Sequence, residues 1–288
     1  MAVRYAPALT EFGFDGSISP NWQMVPVNGI RVLTITGAAG LIPRVRTLAG
    51  GAPPVTATVL TLAGTSRLIL VGGRAAGRAW IEWVPSAGFS GPVTADFTLD
   101  ISVKAEKTVR TAFHYVTDGR RQITSRRIAD LDRLIAAANW ILGPQANVTL
   151  TRKSAATLRV RQRLGDVVRF SRHLEGPPDN VDPAQHEWDV VTAGADATAD
   201  FNVFFVKEYE QDTTPYHDDA NAGTIASEKN CILEDTTPSS SETLAHETVH
   251  LLGVDAHSNS NTRLMGPAGR IARLLTRDEA NTVNPSGT

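Results

Sequence analysis

The chain has a single cysteine, Cys231, among 288 residues. No internal disulfide can form, and a cysteine-built zinc finger is excluded. Any metal site must therefore be made from His, Asp and Glu. No apolar run approaches the roughly 18 to 20 residues that a membrane-crossing helix needs. There is no excess of charge of either sign: 28 Lys and Arg face 30 Asp and Glu, for a net charge of −2. That removes the general basic field of a nucleic-acid binder. The first residues, Met1-Ala2-Val3-Arg4-Tyr5-Ala6-Pro7, lack a basic segment followed by an apolar one, so no signal peptide is visible. Internal repeats and low-complexity tracts are also missing. With 42% hydrophobic and 20% charged residues, the chain has enough apolar side chain for a real core, which argues against disorder.

The grammar of the sequence changes near residue 105. Before it come short β-branched runs, among them Ile30–Thr36, Thr56–Leu62, Leu68–Val71, Ala79–Val84 and Val93–Val103. Turn material separates them, such as Gly50-Gly51-Ala52-Pro53-Pro54 and Gly72-Gly73. This pattern predicts an all-β sandwich over residues 1–105. Trp80 and Trp83, three apart on one strand, are expected on opposite faces of their sheet.

From residue 106 strands mix with helices, which predicts an α/β or α+β domain of catalytic type over 106–288. Val109 to Tyr115 alternates as a half-buried strand. A helix follows, capped by Ser125, carrying Ile128, Leu131, Leu134, Ile135, Ala138, Ile141 and Leu142 on one face, and stopped by Gly143-Pro144. Further strands are expected at Asn147–Thr151, Thr157–Arg163, Phe201–Lys207, Gly223–Ser227 and Asn230–Glu234. The polar stretch from Glu208 to Gly223 reads as an exposed loop. Helices are expected to start near Ser240 and Thr276.

The chemistry concentrates in one stretch. Three of the seven histidines, His246, His250 and His257, fall within Ala245-His246-Glu247-Thr248-Val249-His250-Leu251-Leu252-Gly253-Val254-Asp255-Ala256-His257. His-Glu-x-x-His on a helix sets two imidazoles one turn apart on one face, where both can bind one zinc ion. Glu247 beside them can hold and deprotonate a metal-activated water. At about 100° per residue, Leu244, Ala245, Thr248, Val249, Leu251 and Leu252 fill one arc of the wheel. His246, Glu247 and His250 fill the other. Ser239 and Glu242 have capping-box spacing at the start. Gly253 suits a left-handed helix end that turns the chain back toward the metal.

At these residues the sequence resembles the metzincin clan of zinc metallopeptidases. The clan's pattern is His-Glu-x-x-His-x-x-Gly-x-x-His, followed by a methionine-containing turn. His246, Glu247, His250 and Gly253 match position by position. The run Asn261-Thr262-Arg263-Leu264-Met265-Gly266-Pro267 resembles the Leu-Met-x-Pro form of that turn. The resemblance spans about residues 108–288 and does not extend to 1–105. There is one departure. The clan's third ligand falls on Ala256, with Asp255 one residue early and His257 one residue late. His257 is the expected third ligand, because imidazole is the commoner zinc ligand and a loop absorbs one extra residue easily. Asp255, or a distant group completing a two-histidine site, is the alternative. No Tyr follows Tyr216, so the additional Tyr ligand of some metzincins is missing.

The resemblance implies a mixed-sheet α+β domain with an active-site helix and Zn²⁺ as cofactor. It implies an endopeptidase that uses Glu247 as general base on a protein or peptide substrate. Met265 would be a structural floor beneath the metal, and the strand around Ala222–Ser227 an edge on which substrate pairs. Two rivals stand beside this reading: a binding or adhesion protein with a structural zinc, and a zinc amidase acting on peptidoglycan peptides. The N-terminal region would recognise a substrate or receptor, act as a pro-domain or inhibitor, or dock the enzyme to a delivery partner. Secretion or translocation without a visible signal, as for a bacterial effector, is expected, with cytoplasmic retention as alternative. Cys231 reads as a small buried hydrophobe. The loop with His217, Asp218 and Asp219 reads first as solvated, with a Ca²⁺ site or a substrate-facing rim as alternatives. His114, His173 and His186 read as structural.

Overall fold

The computed structural model describes residues 2–9, 11–48, 50–118, 123–162, 164, 167–170, 187–210, 220–235, 240–266 and 273–288. The chain divides into two compact units. One comprises Met1–Lys107, Ile141–Val148 and Arg273–Thr288; the other comprises Thr108–Trp140 and Thr149–Ala272. The division expected between 105 and 106 falls two residues from the first crossing, and two later segments return to the first unit.

The first unit contains β1 (Arg4–Pro7), β2 (Phe14–Asp15), β3 (Asn21–Pro26), β4 (Ile30–Thr36), β5 (Ile42–Thr47), β6 (Val55–Leu62), β7 (Thr65–Gly72), β8 (Gly77–Val84) and β9 (Thr98–Lys104). They form two sheets, ordered β1-β4-β7-β6 and β2-β3-β9-β8-β5. Alternation decides which side chains enter the core: Leu33 and Ile35 from β4, Leu68 and Leu70 from β7, Ala79, Ile81 and Trp83 from β8, Leu99, Ile101 and Val103 from β9. Both sheets contribute to this one apolar cluster. Trp83 is buried and its Nε1 donates to the Tyr5 hydroxyl at 2.9 Å. Trp80, on the opposite face, lies 4.3 Å beneath the Arg46 guanidinium. The β6–β7 hairpin turns at Ala63 and Gly64, both with positive φ (47° and 78°). That is the combination a two-residue primed turn requires.

The second unit is built on β10 (Lys107–Thr117), α1 (Leu131–Ala146) up to Trp140, β11 (Val148–Arg159), β12 (Val167–Arg169), α2 (Glu187–Thr192), β13 (Phe201–Val206), β14 (Glu208–Glu210), β15 (Ala222–Ile225), β16 (Asn230–Glu234) and α3 (Ser240–Leu251). Its main sheet runs β11-β10-β13-β16-β15. β10, β13 and β16 are parallel neighbours, and β15 closes the edge antiparallel to β16. The central strand Phe201–Val206 is buried at every residue, as a strand covered on both faces must be. Among the described residues no helix is long and apolar enough to cross a membrane.

Several local expectations are corrected. Gly143-Pro144 does not stop α1; Pro144 lies inside it. The helix ends one turn later, where Asn147 adopts φ 53° and its N–H bonds to the Gly143 carbonyl at 2.9 Å. Asn is the commonest substitute for Gly in that left-handed position. Ser125 caps nothing: its N–H is taken by the Asp235 carboxylate, which also accepts from the Thr124 hydroxyl at 2.5 Å. A short 3₁₀ turn, Ile128–Asp130, opens the helix instead. The two strands expected around 147–163 are one continuous strand, β11. The Glu208–Gly223 stretch is not all loop, since β14 pairs with β12 in parallel and Tyr209 and Glu210 are buried. Tyr209 packs against Trp188, with ring centroids 6.2 Å apart. Residues 211–219 lie outside the described residues, as do His173 and His186.

The C-terminal segment belongs to the first unit. Helix α4 (Arg277–Val283) is capped by Thr276, whose hydroxyl accepts from the Glu279 N–H while the Glu279 carboxylate accepts from the Thr276 N–H. Beyond it the chain is gripped by Lys104, a fully buried lysine. Its Nζ donates to the carbonyls of Asn284 at 2.5 Å and Ser286 at 3.1 Å. Burial lowers the Lys104 pKa to about 8.

Candidate metal centre

Helix α3 lies against β15 and β16. Its buried side chains include Leu244, Ala245, Thr248 and Val249, while His246 and His250 are half-buried on the other face. Packing of the apolar arc therefore fixes which way the imidazoles point. The helix ends in a Schellman motif. The Val254 N–H bonds to the Val249 carbonyl at 3.2 Å, and the Gly253 N–H bonds to the His250 carbonyl at 3.0 Å. Gly253 has φ 102°, a left-handed value that a Cβ disfavours.

That turn returns His257 to the helix. The Nε2 atoms of His246 and His250 are 3.0 Å apart, and each is 3.2 Å from Nε2 of His257. His246 Nδ1 is 2.7 Å from the Leu264 carbonyl, and His250 Nδ1 is 2.7 Å from the Val254 carbonyl. A carbonyl only accepts, so in both rings the proton sits on Nδ1 and the neutral ring keeps a lone pair on Nε2. Burial also holds the His250 pKa below its ordinary value, favouring this neutral form. Lone pairs facing one another at 3.0 Å repel, and a cation among them removes the repulsion. Tetrahedral ligands about 2.0–2.1 Å from a zinc ion stand about 3.3–3.4 Å apart, close to the spacing seen here. Carbonyls placed behind the rings in this way fix ring orientation and tautomer, as the outer-shell partners of metal-binding histidines do in general.

Glu247 is 5% exposed. Its Oε2 accepts a hydrogen bond from the Thr224 hydroxyl at 2.6 Å. Burial pushes its carboxyl pKa up; the Thr224 hydrogen bond and the nearby His250 and His257 rings oppose that shift. The carboxylate thus lies near enough to the His250 and His257 rings to interact with them electrostatically, with no Lys or Arg pairing it among the described residues.

The turn after the third histidine is tight. Gly266 N–H bonds to the Arg263 carbonyl at 2.9 Å, with Leu264 and Met265 between them. A Cβ on Gly266 would stand 2.5 Å from the Ser260 carbonyl oxygen. Met265 is fully buried and its carbonyl accepts from the Ser258 N–H at 2.5 Å.

Among the described residues, His246, His250 and His257 form the one group of His, Cys, Asp or Glu able to share a metal ion. Asp255 is exposed and outside it. Cys231 is fully buried on β16, and burial raises its thiol pKa. His114 is buried, stacked on Phe204 at 4.5 Å, and bonded to Asn202 at 3.0 Å. The candidate calcium loop at His217, Asp218 and Asp219, and Pro238, Ser239 and Pro267, lie outside the described residues. Three contributors were not singled out in the sequence: Thr224 and the carbonyls of Val254 and Leu264. The carbonyls leave no mark on residue identity, and a lone Thr on a short strand is not distinctive.

No family model matches this chain, and no curated protein matches it. Among solved structures, a chimeric titin Z1Z2 functionalized with a KLER exogenous peptide from decorin aligns at 16% identity. It covers 37% of this chain and 100% of that one, with a TM-score of 0.19. The titin domains Z1Z2 in complex with telethonin align at 15% identity over 41% of this chain and 59% of that one, also with a TM-score of 0.19. At that score neither likeness bears on fold or function.

Proposed function

We propose that this chain is a zinc-dependent endopeptidase of metzincin type. One observation carries the reading: the Nε2 atoms of three histidines converge within 3.2 Å of one another, next to a buried carboxylate in sequence. His246, His250 and His257 are the ligands in this reading. A zinc ion held by these three residues would supply Lewis acidity toward a peptide carbonyl and toward water. Glu247 does the proton work. Its Oε1, the oxygen not bonded to Thr224, takes a proton from the attacking water and returns it to the leaving amine nitrogen. The Val254 and Leu264 carbonyls hold the His250 and His246 rings in the binding tautomer. Among the described residues strand β15 pairs only with β16, and its outer edge is the one on which an extended peptide backbone would pair.

The rival with a structural zinc is less well supported. Structural sites are closed by four protein ligands, and only three gather among the described residues. The test is a metal assay with digestion of a peptide library and of cell-wall material, each with and without chelator. The expected result is one zinc per chain and chelator-sensitive cuts in peptides. A zinc-loaded protein that leaves every peptide intact sinks the proposal, and cuts confined to cell-wall stem peptides replace it with the amidase reading.

A further inference from the structure

Thr224 sits on β15, opposite Cys231 of β16 in the antiparallel register. Its hydroxyl donates to Glu247 Oε2 at 2.6 Å. A hydroxyl has one proton, and this one is committed to the carboxylate. At 2.6 Å the bond is at the short end of the range for a hydroxyl donor. A glutamate side chain has three rotatable torsions, and anchoring one oxygen to a sheet strand removes most of that freedom. It also leaves Oε1 as the oxygen free to act. The partner element matters as well. Among the described residues β15 is the edge strand of its sheet, and the main chain on either side of Thr224 is bonded into β16. The carboxylate is therefore indexed to the same backbone on which an extended substrate would lie.

We infer that Thr224 is a positioning residue that holds Glu247 in register with the substrate-pairing edge of the sheet. This rests on the peptidase reading above. Two variants separate it from a merely structural role. Thr224→Val keeps the shape and β-branching but loses the hydroxyl, whereas Thr224→Ser keeps the hydroxyl. The Val variant is expected to lower kcat about tenfold or more, the worth of one hydrogen bond to a charged group. KM and zinc affinity should stay within about twofold of the parent, and the Ser variant should recover kcat to within about threefold.

A second measurement does not depend on activity. In the metal-free protein, a double-mutant cycle of Thr224→Val with Glu247→Ala on the unfolding equilibrium should show coupling of about twofold or more. Coupling below about twofold, or equal kcat losses in the Val and Ser variants, overturns the positioning role alone. A parent protein that loads zinc and cleaves no peptide overturns both readings, whatever the cycle shows.

Discussion

Buried carboxylates are treated differently in the two units of this chain. In the first, Glu82 is gripped by Arg44 at 2.6 Å and Arg46 at 3.1 Å. Asp100 takes a forked pair from Arg78 at 3.0 and 2.7 Å, with Arg277 at 3.6 Å. Glu82 and Asp100 each have two guanidinium partners. In the second unit, Glu247 is equally buried but is met by a hydroxyl and imidazoles. A carboxylate sealed from water without a cation is costly. Such an arrangement suits a group that must keep a free oxygen and share its site with a metal. Under the proposed function, the missing cation beside Glu247 is the metal that the three histidines would hold.

That contrast can be broken or sharpened by experiment. The largest effect is expected at Glu247. Glu247→Ala should retain zinc yet lower kcat by about 10²–10⁴-fold, the usual range for general acid–base assistance, whereas His250→Ala should lose the metal. Full peptidase activity in Glu247→Ala, measured with zinc content on the same sample, erases the contrast. Gly253→Ala comes next. A Cβ at φ 102° should cost about 1–2 kcal/mol and disturb the Val254 carbonyl behind His250. Zinc affinity should fall about 10-fold or more, as for other outer-shell changes; competition with a chromogenic chelator reads this out.

Asp100→Asn tests the other side. It should destabilise the first unit by about 2 kcal/mol in denaturant unfolding, since its arginine partners are partly exposed and can rehydrate. Zinc affinity should not move. The smallest effect concerns Lys104. Its folded pKa, near 8, lies below that of an unfolded lysine, so the unfolded chain holds more protons between these values. This group's contribution to unfolding free energy should therefore rise with pH from about 8 toward 10. Lys104→Met should flatten that rise when stability profiles of the two proteins are subtracted. A rise of the same size in both proteins assigns it elsewhere.

The sequence is most legible where structure is local and periodic. The alternation in β4, β7 and β8 separates inward from outward residues because a strand has a period of two. The α3 wheel works because its apolar arc and its histidine arc do not overlap. Reading fails where a partner distant in sequence overrides a local signal. Gly143-Pro144 looks like a stop, yet a proline near the end of a helix loses little, and Asn147 supplies the left-handed exit. Ser125 looks like a cap until Asp235, 110 residues away, takes its N–H. Glu208–Glu210 looks like loop until Tyr209 finds Trp188.

Residue order alone determined that His246, Glu247 and His250 share one face of a helix, because 3.6 residues per turn needs no other part of the chain. It also placed a left-handed turn at Gly253, the residue that adopts that conformation at least cost. Tertiary structure decided that His257 and not Asp255 joins the pair, that the Leu264 carbonyl sets the His246 tautomer, and that Thr224 holds Glu247. These contacts join groups 7, 18 and 23 residues apart. Such separations are closed by the packing of α3 on its sheet and by the tight turn at Leu264-Met265, which no local period encodes.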